Sequence, residues 1–143
     1  MAIWGNDGVE GAYPHGNIVV FSASVAIQAS KTDYVWDIKR FPFAAIIKEV
    51  EIFSIASAGG AGKTVDVAVI DNDAAEVVVV QNEALADITE GAAAMTSLIR
   101  ATIVAGVNTT IRAGAGLLFR YTSGSGDTSV GTKVRVVLQP KYA

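Results

Sequence analysis

The chain predicts an all-β fold, an antiparallel sandwich, on three observations. Short runs of alternating polar and apolar residues recur along it. Turn signals separate them at intervals of about ten residues. No long strand alternates with a long helix, as a doubly wound α/β fold would require. With 143 residues the chain is expected to form one domain with a core of its own. No repeat of solenoid or propeller length is visible.

Residues 1–16 read as an extended N-terminal arm, with residues 17–143 as the single sandwich domain. The arm holds five glycines or prolines and little periodicity, yet carries Trp4 and Tyr13. From Ile18 to Ile27 the pattern is strand-like, with Val19, Phe21, Ala23, Val25 and Ile27 on one face and Ser22, Ser24 and Gln28 on the other. Ala29 to Asp33 reads as a turn. Tyr34, Trp36 and Ile38 then alternate with Val35, Asp37 and Lys39, until Phe41-Pro42-Phe43 breaks the run, because proline cannot donate to a ladder. Val50 and Ile52 mark a third strand. Val65, Val67 and Val69 mark a fourth, after a glycine-rich loop over 57–63 that reads as a hairpin.

Asp71-Asn72-Asp73 is a tight-turn signal, and Val77–Val80 is a β-branched run. Residues 84–99 carry apolar positions at helical spacing, but Gly91 interrupts them, so helix and loop both stay open. Leu98–Val104 and Val107–Ile111 read as strands. Leu117, Phe119 and Tyr121 form another, and Ser123–Asp127 a flexible loop. Val130, Thr132, Val134, Val136 and Leu138 form the cleanest alternation in the chain. The core is expected to be held by Val19, Phe21, Val25, Val134, Val136 and Leu138.

Composition narrows the function classes. Only 17% of residues are charged while 51% are hydrophobic, so apolar surface exceeds what a small core hides. That points to an oligomer or a covering partner. A net charge of −3 with scattered basic residues argues against nucleic acid. No apolar run reaches a membrane span, and the N-terminus lacks the basic start and apolar stretch of a secretory signal. There is no cysteine, hence neither a disulfide framework nor a thiolate metal site.

The stretch SAGGAGKTVDV at 57–67 ends like a phosphate-binding loop, with Gly62-Lys63-Thr64. The first glycine of that motif is Ser57 here, and Thr64 leads into a period-2 strand instead of the helix that would hold the phosphates. Nucleotide binding is therefore not expected. His15 is the sole histidine, which leaves no triad. Glu49 and Glu51 read as a solvated face with Lys48, not a catalytic carboxylate pair. Asp71–Asp73 lacks the glycine and distal glutamate of a calcium loop. Tyr34 and Trp36 read as core aromatics, with a sugar-stacking platform as the alternative. No cofactor, no metal and no enzymatic activity are expected.

One resemblance extends this reading. AAIIKEVEIF, a glycine-rich loop, TVDVAVIDND, a variable middle, NTTIRAGAGLLFRYT, a Gly-Ser loop and a closing VRVVLQ strand follow one another between Phe43 and Leu138. This order resembles the jelly-roll domains of tailed-bacteriophage structural proteins, including capsid decoration (cement) proteins and fibre modules. Asp71-Asn72-Asp73-Ala74 stands where that pattern has an Asn-Gly hairpin, and residues 1–42 lie outside the likeness. The resemblance implies a jelly-roll-like sandwich and a virion structural protein, made in the bacterial host cytoplasm and bound to the outer capsid surface. It implies the major capsid protein as partner and a homo-oligomer, with a trimer as the family analogy. Trp4, Tyr13 and His15 on the arm are the candidate interface residues, since buried aromatics carry much of an interface's energy. The alternative function is a carbohydrate- or receptor-binding module of a phage fibre or tail.

Overall fold

A computed structural model describes residues 16–59, 62–85 and 99–141. Every regular element among them is a strand: β1 (Ile18–Phe21), β2 (Lys31–Arg40), β3 (Ala45–Phe53), β4 (Ala56–Ala58), β5 (Thr64–Ile70), β6 (Glu76–Ala84), β7 (Ile99–Arg100), β8 (Thr110–Ile111), β9 (Gly116–Ser123), β10 (Thr128–Val130) and β11 (Lys133–Pro140). Most of the ambiguous segment over 84–99 lies outside the described residues.

Two antiparallel sheets face each other. One has the order β2-β9-β5-β6. The other runs β1-β11-β3, with β7 and β8 both pairing the far side of β3, and β4 and β10 form a small ribbon. β1, β2, β3 and β5 alternate between the two sheets, β5 and β6 form a hairpin, the chain crosses through the short β7 and β8 before it returns to β9, and the first described strand lies beside the last. This is the antiparallel β-sandwich that the alternation and turn spacing predicted.

The core lies between the sheets. Val65, Val67 and Val69 meet Leu117, Phe119 and Tyr121 from one side, and Val50, Ile52, Val134, Val136 and Leu138 from the other. These strands are central in their sheets, so their alternation was a true record of burial. β5 differs in one respect: Asp66, Ala68 and Ile70 are buried as well, on the outer face.

Five local expectations are corrected. Val19 and Phe21 do not enter the core. They are 42% and 44% exposed, while Val20 and Ser22 face inward, because Val20 lies opposite the core residue Val136. β1 also stops at Phe21, six residues earlier than expected. The Ser22 hydroxyl takes over there, accepting from Val134 N–H and donating to Ala23 C=O.

The loop over 57–63 is not a hairpin, since β4 pairs β10 whereas β5 pairs β9 and β6. The strands expected over 98–104 and 107–111 shrink to two residues each. Between them the backbone bridges the sheets: Ala101 N–H donates to Val50 of β3 and Val104 N–H to Val79 of β6. Backbone spent closing this side cannot also extend a ladder. Finally, the closing strand is broken at Gly131 and Thr132 into β10 and β11, with Gly131 at φ 63°.

Candidate interaction surface

The glycine-rich stretch serves packing. Lys63 is fully buried and donates to Ala58 C=O at 2.8 Å, so its ammonium is not presented to a ligand. Thr64 opens β5, not a helix. The glycines make room for the buried Asp127. A Cβ on Gly62 would stand 2.3 Å from the Asp127 carboxylate, and one on Gly59, at φ 103°, 2.4 Å from Gly126 C=O. Asp127 in turn accepts from Gly124 N–H at 2.6 Å, so the loop over 123–127 is held by its own carboxylate. Titration with ATP and magnesium in a calorimeter is expected to give no saturable heat. Micromolar binding lost in Lys63→Ala would overturn this assignment.

The other chemistry-bearing residues are likewise engaged in the fold. Asp71 accepts from Asn72 N–H and pairs with Arg112, and the two together hold its carboxyl below the ordinary value. Asp73 accepts from Ala75 N–H within the same turn. Beside this turn lies a cleft of about 350 Å³, lined by Val69, Val77, Asn108, Thr110 and Arg112 among others.

Glu51 corrects the solvated-face expectation. It is buried, hydrogen-bonded to Arg135 and, at 3.3 Å, to Arg100, which also reaches Glu49 at 3.6 Å. On the opposite sheet Arg120 bridges Asp66 at 3.2 Å and Glu76 at 2.7 Å. Partial burial pulls the Arg120 guanidinium down, but the hydrogen bonds to Glu76 and Asp66 outweigh it and leave its pKa raised.

Trp36 is no stacking platform. Its ring packs against Phe119 and Tyr121 at centroid distances of 6.1 and 6.0 Å, and its Nε1–H donates to Ala23 C=O. Tyr34 is exposed, tilted on Tyr121, with the Lys31 ammonium over its ring.

What the surface offers instead is apolar. Ile18, Val19 and Phe21 of β1, and Tyr34, Val35 and Ile38 of β2, are all exposed. Both strands end their sheets, and Ala23 joins them through its bonds to Trp36 and Asp37. They therefore share one side of the sandwich, opposite the side closed by residues 101–104. Phe21 extends this surface by standing edge-on to Phe53, with the Lys133 ammonium within 6 Å of both rings. On the outer face of the other sheet, Ile38, Leu118, Ala68 and Val78 line up as one apolar row across four strands. Exposed apolar strands at sheet ends are where further chains add. Sequence reasoning missed this side because it assigned Val19 and Phe21 to the core. The candidate interface residues Trp4, Tyr13 and His15 lie outside the described residues.

No family model matches the sequence, and no curated protein matches it significantly. Among solved structures, the chain is similar to one described as a cyanophage Pam1 capsid asymmetric unit, with 21% identity and a TM-score of 0.44 over 90% of this chain and 89% of that one. Two chains so distant share too little for function to pass from one to the other.

Proposed function

We propose that this protein is a virion structural protein, a capsid decoration (cement) protein that binds the major capsid protein on the outer surface of the shell and stabilises it. The observation that carries the reading is the apolar side built by β1 and β2, which the fold leaves exposed. A sheet-end surface of this kind suits lateral contact with other subunits. The resemblance of residues 43–138 to phage jelly-roll domains supplies the kind of partner. Trp4, Tyr13 and His15 are the proposed anchors. Several weak contacts made at once add up to tight attachment. The work is mechanical and needs no catalysis. The resemblance suggests three copies.

The test is co-sedimentation with expanded tailed-phage capsids stripped of decoration. The full chain is expected to pellet with them and to raise their melting temperature. A truncation beginning at Asn17 is expected to fold with nearly unchanged melting yet to lose most of this binding. A truncated protein that decorates as well as the full chain would remove the anchoring role. Failure of the full chain to bind any shell, with clear binding on a glycan array instead, would favour the carbohydrate- or receptor-binding module.

A further inference from the structure

The free edge of β2 has an order that alternation alone hides. Against β9, Phe119 lies opposite Asp37 but Arg120 lies opposite Val35, so Trp36 is an extra residue in a bulge. Trp36 and Asp37 consequently both face inward, Trp36 onto Phe119 and Asp37 accepting from Ala23 N–H at 2.7 Å. Residues beyond the bulge change face. Ile38 lies opposite Leu118 of the outer apolar row, and Val35 opposite Arg120. Asp33 lies at a second register shift, with φ 46°, and its carboxylate accepts from the Thr122 hydroxyl, which places it on the outer side because Tyr121 next to Thr122 points inward. The outward column of β2 is therefore Asp33, Val35, Ile38, Arg40.

That column is acid, apolar, apolar, base. Run antiparallel to a copy of itself, it sets Asp33 against Arg40 twice and Val35 against Ile38 twice. On the inner face the same register sets Tyr34 against Lys39 and Trp36 against Asp37. A regular strand has no such option, because a two-fold axis normal to the sheet places one residue opposite itself. The bulge removes that restriction by putting two consecutive residues on one face, so the axis can pass between Trp36 and Asp37. The groups involved are available: Val35 is 42% and Ile38 44% exposed, and neither Asp33 nor Arg40 has an ionic partner among the described residues.

We propose that a second copy of this chain occupies the β2 edge, forming a two-fold dimer in which β2 pairs antiparallel with β2 and the two four-stranded sheets become one of eight. The occupant is argued from the self-complementary charges and apolar pairs of the column. The inference concerns the protein alone and holds whether or not a viral shell is its partner. Its dimer takes the place of the trimer suggested by resemblance.

Two experiments test it on the full chain. In sedimentation equilibrium the protein is expected to run as a dimer. Asp33→Arg alone and Arg40→Asp alone each set like charges together twice, and each is expected to weaken the dimer about tenfold. The double variant Asp33→Arg/Arg40→Asp is expected to restore it, with circular dichroism unchanged throughout. The second experiment uses the absence of native cysteine. Val35→Cys mixed with Ile38→Cys is expected to form a disulfide-linked dimer on mild oxidation, because directly opposed residues lie within disulfide reach. Either variant alone is expected to cross-link far less. A monomer would overturn the proposal and make the bulge and the inward charges guards against pairing. A trimer, a double variant no better than the singles, or cross-linking without the preference for the mixture would overturn it too.

Discussion

Val136→Asp is expected to lower the melting temperature by about 15 °C. Val136 is fully buried on β11, the strand that joins β1 to β3, opposite Val20 on one side and Val50 on the other. Its side chain faces the space between the sheets, among Val134, Leu138 and the valines and aromatics of the opposite sheet. The neighbours it packs with there are apolar, and the buried Lys63 ammonium is held at Ala58 C=O. A carboxylate there must stay charged without a partner or take up a proton. Either course costs about 4–5 kcal/mol once lost packing is added. A domain of this size has a total stability of about 5–15 kcal/mol. Thermal unfolding followed by near-ultraviolet circular dichroism checks this. A variant that melts within about 5 °C of the parent would mean that Val136 does not point between the sheets.

Gly116→Ala is expected to detach β2 from its sheet. Gly116 opens β9 and lies between Arg40 of β2 and Ile70 of β5. A Cβ there would stand 2.2 Å from Lys39 C=O and 3.0 Å from Arg40 Cα. Both obstacles are backbone, so no rotamer change relieves them, and the strands must move apart. β9 is the only ladder partner of β2 among the described residues. Relief by strand separation therefore undoes the anchorage of β2. The expected cost is about 3 kcal/mol, which lowers the melting temperature by about 10 °C for a chain of this length. Hydrogen exchange should show faster exchange over 31–40 while β3 and β11 stay protected. Protection of 31–40 equal to the parent would contradict the close approach. The variant should also lose whatever β2 binds, which gives the interaction surface a readout separate from global stability.

Much of the architecture is legible in local sequence, for a reason the core makes plain. β3, β5, β9 and β11 are central strands, each flanked on both sides. One of their faces looks into the core, so Val50 and Ile52, Val65 and Val67, Leu117 and Phe119, Val134 and Val136 had to be apolar. The arrest at Pro42 and the turn at Asp71–Asp73 are equally local, one from a missing donor, the other from side chains that bond their own backbone.

The candidate surface was not legible, because it depends on pairing between segments far apart in the chain. β1 is apolar on both faces, so Val19 and Phe21 have the same local claim to the core as Val20. Only the ladder that sets Val20 opposite Val136 decides between them. The phosphate-loop likeness at 57–64 dissolves once Asp127, more than sixty positions later, is seen to fill the space beside Gly59 and Gly62. Ile38 alternates with Asp37 as any strand residue would, and its move to the outer face follows from a bulge imposed by the pairing with β9. Sequence by itself determined which strands exist and which central faces are buried, since burial acts on each residue's own side chain. Tertiary structure alone decided which apolar residues remain outside, because strand register and bulges belong to pairs of strands and to neither strand by itself.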